Sequence, residues 1–173
     1  MTVPLCIGID PGLVHTGVVG LRINTDTKDI RVLYALVDGI DEKKVAAAVH
    51  KISQVCSYSR HYIWIEEYRP RSHLSTDQRM VEGVAAIKGA LHGSVVLPNT
   101  GIKTVVKDSL LELLELNTFA VSTHHNDLVS AARILLLGML KDENLNALLT
   151  QIALDYWVPT RTFTWAIETI NLT

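Results

Sequence analysis

Three short apolar runs, separated by turn-forming residues, open the chain. They cover residues 5–10, 16–23 and 30–37. Each run is rich in Val, Ile and Leu, a composition typical of strands. Pro11 and Gly12 reverse the chain after the first run, and the polar segment 24–29 turns it again after the second. The pattern therefore predicts a three-stranded antiparallel meander.

Beyond residue 38, helical spacing alternates with short apolar runs. Asp41 is a suitable N-cap for a helix whose apolar residues recur every three or four positions up to Val55. The run 61–68 is β-branched and aromatic without polar alternation, which predicts a parallel strand buried on both faces. The remaining predicted elements are helices over 75–92, 102–116, 124–140 and 145–157, and strands over 94–97 and 163–167.

Composition bounds the class of protein. The chain has 173 residues, of which 48% are hydrophobic and 20% charged, and this balance predicts one globular domain. No apolar stretch reaches the roughly 18 residues that a membrane span needs, and no secretory signal is visible. Two cysteines, Cys6 and Cys56, are too few for a disulfide framework, so we expect both to be reduced and the protein to be cytoplasmic.

Two predicted central strands end in acids. Asp10 closes the first strand, and Glu66 and Glu67 close the strand over 61–68. A half-buried carboxylate is costly unless it is paired or bound to a metal, although Asp10 can also serve simply as a turn cap. His124 and Asp127 share one face at the tip of a later helix because they are three residues apart.

The order of elements is that of the ribonuclease H-like α/β fold, here expected to have a five-stranded mixed sheet flanked by helices. In that fold the first and fourth strands are neighbours, so Asp10 and Glu66 would meet at one edge, with the His124–Asp127 tip above them. Oxygen-rich ligands of this kind favour magnesium or manganese over zinc. Two such ions about 4 Å apart can support hydrolysis of a phosphodiester.

Three motifs carry a resemblance to a known family. The segment Ile7-Gly8-Ile9-Asp10-Pro11-Gly12, followed by Thr16-Gly17, resembles the opening of RuvC-type Holliday junction resolvases. The segment Ile63-Trp64-Ile65-Glu66 resembles the strand that carries their second acid. His124-x-x-Asp127 is similar to the His-x-x-Asp variant of their last two ligands, which is also seen in phage resolvases. The resemblance covers about residues 3 to 140.

The resemblance implies a homodimeric, magnesium-dependent endonuclease that binds a four-way DNA junction and makes paired symmetric nicks. It implies that Asp10, Glu66 and Asp127 hold metal, and that His124 binds metal or handles a proton. Glu67 competes with Glu66 for this role, and His125 competes with His124. In each case the motif or the helical spacing favours the first residue of the pair.

The expected DNA contacts follow the second acid. The candidate cations are Arg69, Arg71, His73, Arg79, Lys103 and Lys107. Such groups contact phosphates and supply affinity rather than sequence selectivity. Tyr68 can stack on a base or pack in the core. The net charge of -2 implies that any DNA-binding surface is local.

Two segments have alternative roles. The helix over 77–92 matches the one that these resolvases use to dimerise. We expect residues 1–142 to form the nuclease domain and 143–173 an extension of a helix and a strand that packs on it; dimer contacts and partner binding are the alternatives.

Three other functions compete with the resolvase interpretation. A sugar-kinase or actin-like ATPase shares the Asp-x-Gly turn, but it needs a second similar domain, and residues 1–173 contain no second strand-turn pattern of this kind. A less selective nuclease would keep the fold and the metals while acting on forks, flaps or RNA-containing hybrids. A junction-binding module without catalytic activity is disfavoured because all four candidate ligands are present.

Overall fold

The computed structural model describes residues 3–70, 75–120, 125–158 and 162–172. In this part of the chain the strands are β1 (Pro4–Asp10), β2 (His15–Asn24), β3 (Asp29–Asp38), β4 (Arg60–Glu66), β5 (Val95–Leu97) and β6 (Thr164–Thr169). The helices are α1 (Glu42–Val55), α2 (Ser75–Ala90), α3 (Ile102–Val105), α4 (Asp108–Leu113), α5 (His125–Lys141) and α6 (Glu143–Tyr156).

The described strands form one mixed sheet in the order β5-β4-β1-β2-β3-β6. The meander β1–β2–β3 is antiparallel as predicted, and β4 lies parallel to β1. The prediction of five strands was wrong, because β6 adds a sixth strand that pairs in parallel with β3. Sequence alternation identified a strand in this region, but its pairing with a strand more than 120 residues earlier has no local signal.

Side-chain alternation on β1 divides the core into two layers. Leu5, Ile7 and Ile9 pack in the cluster that contains the buried residues of α1 and α2. Cys6 points to the opposite face and packs with the buried residues of α5. By the same period of two, Gly8 and Asp10 face α5. The first candidate acid therefore lies on the α5 side of the sheet.

Helix α5 lies unusually close to β1 and β2 because glycines face it. A Cβ atom on Gly8 would lie 2.1 Å from the carbonyl oxygen of Ala131. A Cβ atom on Gly17 would lie 2.3 Å from the carbonyl oxygen of Asp127. Neither distance is sterically allowed, so only glycine at these positions lets the first turns of α5 rest on the sheet.

The predicted helix over 102–116 is broken into α3 and α4. Val106 and Lys107 between them have extended backbone conformations. The carbonyl oxygen of Val106 accepts a hydrogen bond of 2.6 Å from Nη1 of Arg133, a buried residue of α5. This tertiary bond takes the place of a helical one, and no Pro or Gly at positions 102–116 signals the break.

Helix α2 packs on the sheet through one face. Met80, Val84 and Ile87 are buried on this helix, whereas Val81, Ala85 and Lys88 are exposed. An exposed surface that includes two apolar residues therefore remains on this helix.

The C-terminal segment contacts the core. Phe163 is buried in the cluster on the α5 side, and the indole N–H of Trp165 donates a hydrogen bond of 3.3 Å to the carbonyl oxygen of Leu114. Cys6 and Cys56 are both buried, free thiols. In the described ranges, no helix combines the length and apolar character needed to cross a membrane.

Candidate metal centre

The parallel pairing of β1 and β4 brings two acids together. Ile9 pairs with Ile65 in this register, so Asp10 and Glu66 occupy the next position on adjacent strands. Neighbouring strands lie about 4.8 Å apart, which is within reach of two carboxyl groups. Ile63 and Ile65 face α1 and α2 while Trp64 packs on the α5 side, so Glu66 points to the same side as Asp10.

The third candidate acid, Asp127, lies on helix α5. Gly17 is the β2 partner of Asp10, and the backbone of Asp127 rests directly on Gly17. Asp127 lies in the first turn of α5 and is half-buried. The first turn of α5 is thus fixed above the end of β1, beside Asp10.

A hydroxyl stabilises the turn between β1 and β2. Thr16 is fully buried, and its Oγ1 donates a hydrogen bond of 2.8 Å to the carbonyl oxygen of Gly39 and accepts one of 3.3 Å from the amide of Gly12. A Cβ atom on Gly12 would lie 2.2 Å from the carbonyl oxygen of His15, so a side chain at position 12 would clash with the turn. The Pro-Gly and Thr-Gly pairs of the first motif therefore fix the direction in which the chain leaves Asp10.

The acids repel one another strongly. Burial, the charge of Glu66 and a hydrogen bond with Glu66 together raise the pKa of Asp10 from 3.8 to about 9, and the charge of Asp127 adds to the rise. A hydrogen bond from Ser130 opposes it and lowers the pKa of Asp10. The Asp10–Glu66 pair therefore retains a proton at neutral pH when no cation is bound, and the two carboxyl groups share a hydrogen bond.

Glu66 and Glu67 have different surroundings. Glu66 accepts a hydrogen bond of 2.7 Å from Nδ2 of Asn99, which fixes the orientation of its carboxylate. Glu67 lies beyond the end of β4 and forms an ion pair of 2.8 Å with the guanidinium of Arg69. The contacts with Asp10 and Asn99 thus involve Glu66 rather than Glu67.

A divalent cation fits the chemistry of these donors. Crowded carboxylates that retain a proton are the arrangement that a cation stabilises, because it replaces the proton and removes the repulsion. Considering the described residues alone, no three His, Cys, Asp or Glu side chains already form a set that could hold a metal ion. Position 124, a predicted ligand, lies outside those residues. His125 lies within them, exposed at the first position of α5.

A cleft of about 350 Å³ opens beside Glu66. We call it the Glu66 cleft; its lining residues are Glu66, Asn99, Gly101, Ile102, Lys103, Ser130 and Arg133. Lys103 was a predicted DNA contact. Asn99, Ser130 and Arg133 were not predicted, because only the packing of α5 and of the β5–α3 connection brings them to the acids.

The other predicted cations are scattered or lie outside the described residues. Arg79 is exposed on α2, and Lys107 is exposed between α3 and α4. Arg69 is exposed and paired with Glu67. Arg71 and His73 lie outside the described residues.

The side chain of Tyr68 packs in the core layer on the α1 and α2 side of the sheet. Its ring packs against the cluster formed by α1, α2 and the sheet, and its hydroxyl donates a hydrogen bond to the buried carboxylate of Asp77. This placement favours packing over base stacking, the two roles that the sequence left open.

The sequence matches no protein-family profile and no curated protein. Among solved structures, a RuvC from T. thermophilus in complex with Holliday junction substrate is similar, with a TM-score of 0.52 and 16% identity over 76% of this chain and 90% of that chain. A Fowlpox virus resolvase with substrate Holliday junction DNA has a TM-score of 0.44 and 12% identity over 85% and 99% of the two chains. The large terminase nuclease domain of bacteriophage SPP1 with bound Mn has a TM-score of 0.43 and 10% identity over 78% and 86%. The first likeness shows that this chain shares the fold of that RuvC structure.

Proposed function

We propose that this chain is a metal-dependent endonuclease that resolves four-way DNA junctions by paired symmetric nicks. The observation that carries the proposal is the Asp10–Glu66 pair, in which two carboxyl groups on adjacent parallel strands share a hydrogen bond and the pKa of Asp10 is raised to about 9. Such a pair is unfavourable by itself and becomes favourable around a cation.

The proposed ligands are Asp10, Glu66 and Asp127, with His124 as the fourth on sequence grounds. Carboxylate oxygens favour magnesium or manganese. When bound, a pair of such ions activates water and stabilises the leaving oxygen of the phosphodiester. Asn99 holds the Glu66 carboxylate in place, and the Ser130 hydroxyl favours the ionised form of Asp10, the form that binds a cation.

Branched DNA is the proposed substrate class. The RuvC structure that shares this fold is a complex with Holliday junction substrate, and the three motifs quoted above resemble that family. In this chain Lys103 lies on the wall of the Glu66 cleft, where a DNA strand entering the site would pass.

A homodimer is the proposed assembly, because symmetric nicking of two strands needs two copies of the site. The exposed surface of α2 around Val81 and Ala85 offers an apolar contact for a second copy. The segment 143–173 is proposed to be an extension packed on the nuclease domain at 1–142.

The decisive experiment compares three labelled substrates: a four-way junction, a fork and a linear duplex, with and without magnesium. Wild-type protein, Asp10→Asn and the control Glu67→Gln are tested side by side. We expect paired symmetric nicks in the junction that need metal, disappear with Asp10→Asn and persist with Glu67→Gln.

Other results would replace the proposal. Equal cutting of all three substrates would indicate a less selective nuclease. Binding of the junction by folded protein without metal-dependent cutting would indicate a binding module. Cutting that survives Asp10→Asn would contradict the assigned site.

A further inference from the structure

Strand β6 forms one edge of the sheet, and this edge lacks the usual protection against further pairing. β6 pairs with β3 on one side, and within the described ranges no strand pairs with its other side. Natural edge strands commonly carry Lys, Pro or unpaired charges that prevent another strand from adding. β6 reads Thr-Trp-Ala-Ile-Glu-Thr, without Lys or Pro, and its single charge, Glu168, forms an ion pair of 2.6 Å with Arg31. The edge is therefore open to another strand.

The hydrogen bonds to β3 show which backbone groups of β6 face outward. The amide of Thr164 donates to the carbonyl oxygen of Lys28 at 2.8 Å, and the amide of Ile170 donates to the carbonyl oxygen of Tyr34 at 2.7 Å. The bonding direction alternates along a strand, so the even-numbered residues of β6 bond to β3. The backbone N–H and C=O groups of the odd-numbered residues point to the open side.

Apolar side chains are exposed along the same edge. Ile167, in the middle of β6, is 41% exposed, and Trp157 at the end of α6 is 77% exposed with Val158 exposed beside it. The carboxylate of Asp155 accepts a hydrogen bond of 3.0 Å from the amide of Phe163, so this end of α6 adjoins the start of β6. Exposed apolar surface therefore accompanies the open backbone groups, a combination typical of a protein–protein contact.

We propose that β6 pairs with β6 of a second copy of this chain, antiparallel and centred on Ile167, so that the two sheets become one. In this register Ile167 lies opposite its own counterpart, and Trp165 lies opposite Thr169 of the second copy. All three residues have outward-facing backbone groups, so each pairing is of the hydrogen-bonded type. The strand is thus complementary to itself about a two-fold axis, as a contact between identical chains requires.

The same register matches the side chains. The two Ile167 side chains meet at the axis and cover each other's exposed apolar surface. On the other face of the sheet Glu168 lies opposite Ala166 of the second copy, which is small and uncharged, and it keeps Arg31 of its own chain as partner. A shift of the register by two residues would place the two Glu168 side chains directly opposite each other, and like charges at that position are destabilising.

This contact goes beyond the proposed function and does not depend on it. β5 and β6 are the opposite edges of the sheet, and α2 lies between β4 and β5 in the chain. The β6 contact is therefore separate from the α2 surface proposed for the dimer. Copies that use both contacts would form assemblies larger than a dimer.

Cysteine cross-linking tests the register. Ile167→Cys would place two thiols at the two-fold axis with Cα atoms about 5.5 Å apart, which a disulfide can span. Thr164→Cys is the matched control, exposed on the same strand, because its two copies would lie about 20 Å apart. Under mild oxidation we expect a disulfide-linked dimer of Ile167→Cys and none of Thr164→Cys on a non-reducing gel. Equal cross-linking of both variants, or none with Ile167→Cys, would overturn the inference.

Proline substitution separates pairing at the edge from stability of the strand. Ile167→Pro removes an outward N–H and keeps the bonds to β3, whereas Ala166→Pro removes an N–H that bonds to β3. Ile167→Pro should lower the assembly mass measured by light scattering by up to about half with little change in melting temperature, whereas Ala166→Pro should lower the melting temperature. Equal masses of wild type and folded Ile167→Pro would contradict the contact. Neither experiment contains DNA or metal, so the result is independent of the proposed nuclease activity.

Discussion

The two ends of the central strands β1 and β4 carry clefts of opposite character. At the carboxyl ends, Glu66, which shares a hydrogen bond with Asp10, lines the Glu66 cleft of about 350 Å³. At the amino ends, Pro4 and Arg60 line a larger cleft of about 500 Å³. None of the described residues lining the larger cleft is acidic; they are Pro4, Thr25, Arg60, Tyr62, Asn144, Leu145, Ala147, Leu148 and Gln151.

The smaller cleft is the better candidate site because the carboxyl groups beside it repel one another. Arg60 at the opposite end is exposed to solvent and lies over the ring of Tyr62 at 5.2 Å, so its charge is well accommodated. Asp10 is raised in pKa to about 9 by burial and by the acids around it. A bound cation would stabilise such crowded carboxylates, so the electrostatics favour the smaller cleft, whereas cleft volume alone favours the larger one.

The sharpest comparison is between two adjacent glutamates. Glu66→Gln should reduce junction cleavage on the order of a thousandfold or more, because it removes one member of a group that acts as a unit. Glu67→Gln should leave cleavage within a few-fold of wild type, since it removes only an exposed pair with Arg69. Single-turnover kinetics measure both. Equal losses of cleavage activity in the two variants would contradict the assignment of Glu66 as a metal ligand.

A buried glycine offers a steric way to displace the third acid. Gly17→Ala would place a Cβ atom 2.3 Å from the carbonyl oxygen of Asp127 and should push the first turn of α5 away from the sheet. We expect a loss of about 1–3 kcal/mol in the free energy of unfolding together with a large loss of cleavage. Urea denaturation and a cleavage assay measure the two effects.

Gly89→Ala is the matched control, because a Cβ atom there has no atom within 4 Å. It should stabilise α2 by about 0.5–1 kcal/mol and leave cleavage unchanged. If Gly17→Ala behaved like Gly89→Ala, close packing of α5 on β2 would not be what positions Asp127.

Substitution of Asn99 tests whether its hydrogen bond orients the Glu66 carboxylate. Asn99→Ala removes the hydrogen bond of 2.7 Å to the Glu66 carboxylate and should lower cleavage or metal affinity about 10- to 100-fold, as loss of a group that orients a metal ligand does. Arg60→Ala at the opposite cleft should change neither property. A metal titration of the cleavage rate distinguishes an effect on affinity from one on the maximal rate.

A further expected effect is a pH-dependent stabilisation by metal. The folded-state pKa of Asp10 lies near 9 and its ordinary value is 3.8, so the folded protein binds more protons between these values and its free energy of unfolding falls as the pH rises through that window. A cation that replaces the proton reverses this loss. Manganese at about 100 times its Kd should add about 2.7 kcal/mol, or a rise of roughly 5–10 °C in melting temperature.

The stabilisation should be larger at about pH 8 than at about pH 6, because metal and proton compete for the same carboxylates. Asp10→Asn should be more stable than wild type without metal at neutral pH, and it should lose most of the response to manganese. If manganese did not change the melting temperature of the wild-type protein at either pH, the proposed ligand set would be contradicted.

Asp10 and Glu66 could be identified from the sequence because the ends of strands have local sequence signals. Asp10 follows a short apolar run and precedes Pro-Gly, and Glu66 ends another run, so both were identifiable and their pairing followed from the expected fold. Asn99, Ser130 and Arg133 were missed because their proximity to Glu66 arises from tertiary packing. The break at Val106 was missed because a distant arginine bonds its carbonyl, and the sixth strand because β6 pairs with a segment far away in the chain.

The most direct measurement locates the cation on the chain. Ferrous iron replaces magnesium, ascorbate and peroxide are added, and the resulting backbone cuts are mapped by mass spectrometry. Cuts near Asp10, Glu66 and residues 124–127, suppressed by excess magnesium and absent in Asp10→Asn, are the predicted result. Cuts near Arg60 and Asn144 at the other cleft, or cuts without localisation, would contradict the account.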